Sequence, residues 1–259
     1  MQEILSKSGF LCDMDGVIYR GSKVLPGVPE FINWMKENDK KFIFLTNSPE
    51  RTPQELSMKL KRMGLDVPAD HFYTSAMATA EFLHSQCPGC TAYVIGEPSL
   101  SKAIYDQGIY MNDVNPEYVV LGETRTYCFE KLEKAIELVN KGAKLIGCNP
   151  DHIGVTERGC IPATGSLIAP IEIATGKKAY FVGKPNPLML RHGLRRIGCH
   201  TSEIAFIGDR MDTDIIAAIE SGIDSLLVLS GVTKQEDIDN FPYRPTYILD
   251  GISELVKDL

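Results

Sequence analysis

Short apolar runs, each closed by a polar or glycine-containing turn and followed by a helical period, recur along almost the whole chain. Phe10-Leu11-Cys12 runs straight into Asp13-Met14-Asp15-Gly16. Residues 26–38 then carry Phe31, Trp34 and Met35 as one apolar stripe, which predicts an amphipathic helix. Phe42-Ile43-Phe44-Leu45 is unbroken by polar residues, as in a strand covered on both faces, and ends in Thr46-Asn47-Ser48-Pro49. Thr52-Pro53-Gln54-Glu55 supplies a cap, a first-turn proline and a capping-box glutamate. The helix it opens has Leu56, Leu60 and Met63 on one face and stops at Gly64. A strand over 71–74 and a helix over 76–85 follow. Strand and helix alternate with short connections, which predicts a mostly parallel sheet with helices on both sides.

Gln86-Cys87-Pro88-Gly89 interrupts this order and a second alternation begins. Strands are expected over 92–95, 118–121 and 144–147, with helices over 100–107, 129–140 and 165–174. Strand character resumes at 179–182 and meets Gly183-Lys184-Pro185. The last third reads as helix 188–197, strand 204–207, helix 213–221, strands 226–229 and 247–249, and a closing helix 252–257. Periodicity alone fits either one long sheet or two α/β layers joined near 87–89 and 176–178. Length favours the split.

Composition narrows the function classes. With 259 residues, 44% hydrophobic and 24% charged, the chain is an ordinary globular one with room for a sizeable core. Its net charge of −7 opposes a nucleic-acid or anionic-membrane surface but not a small phosphorylated substrate. No apolar run has the length of a membrane span, and the N-terminal segment does not read as a signal peptide. Seven scattered cysteines read as reduced thiols of a cytoplasmic protein. Cys87-Pro88-Gly89-Cys90 lacks a second pair at zinc spacing, and a redox role for it is the minor alternative.

Asp13 and Asp15 change the picture. On an extended backbone, residues i and i+2 share a face, and two carboxylates so placed repel unless a cation lies between them. The pair reads either as a metal or phosphate site or as two solvated aspartates in a turn. An EF-hand loop is excluded, because the fifth, sixth and twelfth positions are Val17, Ile18 and Val24. Three further apolar runs end in groups suited to phosphate: Thr46-Asn47, Lys184, and Gly208-Asp209 with Asp212 and Asp214 beyond. Each alone has an ordinary reading as a turn hydroxyl, a surface lysine or a helix cap. In an open parallel sheet, however, carboxyl ends of strands line one crevice, where all four can converge.

Asp13-Met14-Asp15-Gly16-Val17, Leu45-Thr46-Asn47, Gly183-Lys184-Pro185 and Gly208-Asp209-Arg210-Met211-Asp212-Thr213-Asp214 resemble, in order, the motifs of the haloacid dehalogenase superfamily. Gly122-Glu123-Thr124-Arg125 and Val228-Leu229-Ser230-Gly231-Val232 are among further stretches similar to its NagD-type subfamily. The resemblance implies a Rossmann-like parallel-sheet core, 1–80 and 179–259, interrupted by an inserted α/β cap, 81–178. It also implies a Mg²⁺-dependent phosphomonoesterase acting through an aspartyl-phosphate. Asp13 would be the nucleophile and Asp15 the acid/base. Thr46, Asn47 and Lys184 would hold the phosphoryl group. Asp13, Asp209, the backbone carbonyl of Asp15, and Asp214 would serve the metal, while Asp212 has no firm role.

The cap would close over the ester and exclude water. Its expected contacts are Asn149 and Asp151, in Asn149-Pro150-Asp151-His152, and then Thr164-Gly165-Ser166. A dehalogenase would lack the second acid and the metal site, and a phosphomutase is disfavoured by the large cap. A silent regulator would have lost one of Asp13, Asp15, Lys184 or Asp209, and all are present. Nucleoside 5′-monophosphates lead the expected substrates, ahead of sugar phosphates, pyridoxal phosphate and phosphoglycolate.

Overall fold

The computed structural model describes residues 2–156 and 159–257. In chain order it has β1 (Gly9–Asp13), α1 (Val28–Glu37), β2 (Lys41–Thr46), α2 (Pro53–Arg62), β3 (Phe72–Thr74) and α3 (Ser75–Gln86). Next come β4 (Thr91–Ile95), α4 (Pro98–Asp106), β5 (Tyr110–Met111), β6 (Tyr118–Leu121), α5 (Phe129–Asn140) and β7 (Lys144–Gly147). A hairpin of β8 (Ile153–Thr156) and β9 (Gly159–Pro162) leads to α6 (Thr164–Thr175) and β10 (Tyr180–Phe181). The chain finishes with α7 (Leu188–Ile197), β11 (Ile204–Gly208), α8 (Ile216–Glu220), β12 (Asp224–Val228), β13 (Tyr247–Leu249) and α9 (Ile252–Val256). No described helix is long and apolar enough to cross a membrane.

The chain divides into two compact units. One runs to Thr46, takes in Pro53–Tyr73 and resumes at Lys184; the other is Asn47–Thr52 with Thr74–Gly183. The boundaries expected at 81 and 178 fall inside the second unit, which also takes α3 and the loop after β2.

The first unit is built on a six-stranded sheet in the order β13-β12-β11-β1-β2-β3, parallel from β13 through β2. Chain order reverses at β1, which lies between β11 and β2, so the carboxyl ends of these three strands form the switch point where such sheets bind ligands. Every residue of β1 and β11 is buried, which is why their sequences are unbroken apolar runs. Alternate residues of β1 serve opposite faces. Phe10 meets Phe31 of α1 edge-on, with centroids 5.3 Å apart, while Leu11 lies against the backbone of Gly193 on α7. Burial of such a side chain contributes about 1.5–3 kcal/mol, so the strand that ends in Asp13 is anchored from both sides.

The second unit has its own parallel sheet, β10-β7-β6-β4-β5, and its own core. Val119 and Leu121 of β6 pack with Leu138 of α5 and Ile168 and Ile171 of α6. The loop 47–52 is tied into this unit: Ser75 and Ser99 donate their hydroxyls to the carbonyls of Asn47 and Pro49.

Some details depart from the sequence reading. Tyr19–Arg20 and Lys23–Val24 form a small hairpin about Gly21-Ser22, and β8–β9 forms a second, neither with enough alternation to be read as strands. Residues 69–71 form a 3₁₀ turn before β3, with His71 stacked on Phe42. The helix expected over 213–221 begins as a π-turn over Met211–Ile215 before α8, in the segment that holds Asp212 and Asp214. Such wide turns are frequent at functional sites.

Candidate active site

Within the first unit, β1 ends on Asp13, β2 ends on Thr46, and Asp209 directly follows β11. Asp13, Asp209 and Asp214 bring their carboxylate oxygens within 4.8 Å of one another, and all three residues are buried. Lys184, 2% exposed, places its ammonium between two of them, donating to Asp13 Oδ1 and, at 2.7 Å, to Asp214 Oδ1. Asp214 is oriented by the main chain: its Oδ2 accepts the N–H groups of Asp209 at 3.1 Å and Arg210 at 3.2 Å.

The charge count of this cluster decides what it can hold. Three buried carboxylates face one buried ammonium. Burial opposes the charge on Lys184, yet Asp13 and Asp214 outweigh it and hold the ammonium above its usual range. Burial raises Asp13 well above an ordinary carboxylate; Lys184 pulls it down, and Asp214 and Asp209 push it up again. Asp209 is pushed up to about 7 by burial and by Asp214, against the N–H of Val232, Lys184 and Arg210. A cluster that resists full ionisation, all oxygen and wholly acidic, fits a hard divalent cation that would restore the balance.

Asp15 stands apart from the cluster. Its side chain is exposed, and its Oδ2 accepts from Tyr19 Oη at 3.2 Å. Asp212 also lies outside, on the surface, in a two-pronged pair with Arg210 at 2.9 and 3.0 Å. Burial and the neighbouring Cys87 push the Cys90 thiol up to about 11, which makes it a poor thiolate donor for redox chemistry. None of the seven cysteines is in a disulfide.

Glycines that the sequence motifs contain without an assigned role shape the cluster. Val232 N–H donates to Asp209 Oδ2 at 2.7 Å, and Ser230 Oγ to the Gly16 carbonyl at 2.7 Å, so the loop after β12 clasps the acid. A Cβ built on Gly231 would lie 1.9 Å from Asp209 Oδ2, and one on Gly16 2.4 Å from the same atom. Gly208 is equally constrained, its added Cβ falling 2.3 Å from Asp214 Cβ. The signal was present as a Ser230-Gly231 pair just past an apolar run. Gly231→Ala is therefore expected to displace the Asp209 carboxylate and to cost about 10–100-fold in metal affinity, measured by isothermal titration with Mg²⁺. Wild-type affinity in this variant would remove Asp209 from the metal-binding set.

Within the second unit the expected substrate contacts form a connected polar set. Asn149 is fully buried, and its Nδ2 donates to the Asn47 carbonyl at 2.8 Å. Asn47 Nδ2 donates to Asp151 Oδ2 at 2.9 Å, and Asp151 N–H to Asn149 Oδ1 at 3.1 Å. Residues 149–152 and 164–166 meet: Gly165 N–H donates to the Asp151 carbonyl at 2.9 Å and Ser166 Oγ to that of His152. The side chain of His152 itself belongs to an exposed residue.

Comparison with known proteins agrees with this geometry. Residues 10–110 match the model of the haloacid dehalogenase-like hydrolases, and residues 181–255 match a second, HAD-hydrolase-like model. The chain is 42% identical over 245 residues to the ribonucleotide monophosphatase NagD of Escherichia coli (strain K12), covering 95% of this chain and 96% of that protein. It belongs to the haloacid dehalogenase-like hydrolases, as a NagD-like phosphatase. A dihydroxyacetone phosphatase of Corynebacterium glutamicum (strain R) is 46% identical over 246 residues, covering 95% of this chain and 90% of the relative. The crystal structure of a 4-nitrophenylphosphatase from Thermotoga maritima superposes with a TM-score of 0.94 at 36% identity, over 98% of each chain. Both lie within the same family of enzymes acting on small phosphates.

Proposed function

We propose that this NagD-like phosphatase hydrolyses small phosphate monoesters with Mg²⁺ through an aspartyl-phosphate on Asp13. The observation that carries the reading is the buried cluster of Asp13, Asp209 and Asp214 around the Lys184 ammonium, at the switch point of the parallel sheet.

An Asp13 carboxylate oxygen attacks phosphorus, and the bond from phosphorus to the leaving oxygen breaks. Asp15, which is exposed, gives its proton to that oxygen, then takes one from the water that attacks the phosphorus of the acyl-phosphate and regenerates the Asp13 carboxylate. Thr46, Asn47 and Lys184 hold the equatorial oxygens, where the transition-state charge is spread. Asp13 and Asp209, with the backbone carbonyl of Asp15, are the groups assigned to the cation; Asp214 fixes Lys184 and the turn after β11. Mg²⁺, when bound, neutralises charge on nucleophile and phosphate. The second unit is assigned as the cap, with Asn149 and Asp151 as substrate contacts. Reduced thiols support a cytoplasmic setting, and the acidic balance supports a small metabolite over a polymer or membrane.

Nucleoside 5′-monophosphates lead as substrates, following the 42% identity to NagD. The 46% identity to a dihydroxyacetone phosphatase supports a triose phosphate as the second reading. A panel of monophosphates with Mg²⁺ separates them by kcat/KM. Loss of all turnover in excess chelator is expected, and chelator-resistant turnover would overturn the metal assignment.

The pH dependence of metal stabilisation has a definite sign. Asp209 rises on folding from 3.8 to about 7, so the metal-free native state binds more protons than the unfolded chain between about pH 4 and 7. The contribution of Asp209 to the stability of the metal-free protein therefore falls through that window as pH rises, and Mg²⁺ bound there would offset the loss. The rise in melting temperature on adding Mg²⁺ is expected to be larger at pH 7.5 than at pH 5, and equal rises would contradict the assignment.

A further inference from the structure

Gly122-Glu123-Thr124-Arg125 leaves the carboxyl end of β6, and the reaction described above gives it no task. Within the second unit the Glu123 carboxylate receives two donors at once. Ser48 Oγ reaches Oε2 at 3.1 Å, and Asn149 Nδ2 reaches Oε1 at 3.1 Å. The same Asn149 nitrogen donates to the Asn47 carbonyl at 2.8 Å. Glu123 thus grips residue 48 directly and residue 47 through a fully buried amide.

Two further hydroxyls complete the hold: Ser75 and Ser99 donate to the carbonyls of Asn47 and Pro49. The charged groups acting on Glu123 are Glu50 and Asp151, both acidic. Burial, with these neighbours, pushes Glu123 up to about 7 despite the bonds from Asn149 and Ser48. An acid kept in such a place, with one oxygen on Ser48 and the other on the Asn149 amide that also holds the Asn47 carbonyl, marks a constraint on the geometry of residues 47–48.

We infer that Glu123 is a positioning residue for phosphoryl transfer: by holding Ser48 and Asn149 together it fixes the backbone of Asn47, which with Thr46 is assigned to the phosphoryl oxygens. This rests on the phosphatase reading above. Positioning acts on the transition state more than on ground-state binding, so its loss falls on kcat.

Steady-state kinetics with Mg²⁺ on the unchanged protein, Glu123→Ala, Glu123→Gln and Ser48→Ala test it. Glu123→Ala is expected to lower kcat by about tenfold or more with a smaller change in KM. Glu123→Gln is expected to return to within about threefold of wild type, since its carbonyl accepts from Asn149 and its amide donates to Ser48 Oγ. A Glu123→Ala protein within about twofold of wild type, or a Gln variant as impaired as the Ala one, overturns the inference. If Glu123→Ala does not fold, Ser48→Ala decides: a kcat fall of about threefold or more supports the role, and an unchanged kcat overturns it. Absence of turnover by the unchanged protein across the panel would instead overturn the phosphatase reading itself.

Discussion

Asp13→Asn is expected to reduce kcat by at least about 10⁴-fold while leaving the protein folded. The amide oxygen that replaces the carboxylate is uncharged and a weak nucleophile, so the first chemical step has no replacement attacker. Folding should be spared, because Asp13 sits among two other buried carboxylates. Removing one negative charge relieves repulsion, and Lys184 keeps its 2.7 Å partner Asp214. In metal-free buffer at pH 7.5 the melting temperature of Asp13→Asn is expected to equal or exceed that of wild type. Turnover within about tenfold of wild type would remove Asp13 from the nucleophile's role.

Lys184→Met should damage both stability and activity. The ammonium is 2% exposed and lies between Asp13 and Asp214, so its loss leaves three buried acids with no buried cation among the described partners. Removing one partner of a buried ion pair costs about 3–5 kcal/mol, where a surface pair would cost under about 1 kcal/mol. Methionine keeps the volume, so the loss is one of charge and not of packing. The effect should depend on pH with a fixed sign. Asp13 and Asp209 are raised acids; at low pH they are neutral in the native state, and the missing cation matters little. Urea denaturation without metal is expected to show a larger deficit for Lys184→Met at pH 7.5 than at pH 5. Turnover should be lost at both. A deficit independent of pH would mean that Lys184 acts as a packing residue.

Much of the core was legible because burial on both faces of a sheet writes itself as unbroken apolar runs. Phe10-Leu11-Cys12, Phe42 to Leu45 and Ile204 to Ile207 all proved to be strands, and Asp13, Thr46 and Asp209 stand at their carboxyl ends. Parallel pairing then explains why Asp13 and Asp209, 196 positions apart by number (209 − 13), lie side by side: Cys12 pairs with Ile207, so both chains reach the sheet edge together. Other features had no local code. Gly16 and Gly231 are required by a carboxylate that approaches them from elsewhere in the chain, and no periodicity records that approach. Glu123 stands in the sequence only within a NagD-like stretch, and Ser48 and Asn149 converge on it from distant parts of the chain. The π-turn before α8 reflects backbone N–H groups drawn toward Asp214, a contact that a 3.6-residue period cannot foretell.

The central claim is that a covalent bond forms between Asp13 and phosphorus during turnover. Borohydride quenching of the working enzyme, followed by peptide mass spectrometry, tests it directly, because reduction of an aspartyl-phosphate converts that one side chain to homoserine. The account predicts homoserine at position 13, dependent on substrate and Mg²⁺ and absent without either. Reduction at another carboxylate, or turnover with position 13 unmodified under conditions that trap an acyl-phosphate standard, would contradict it.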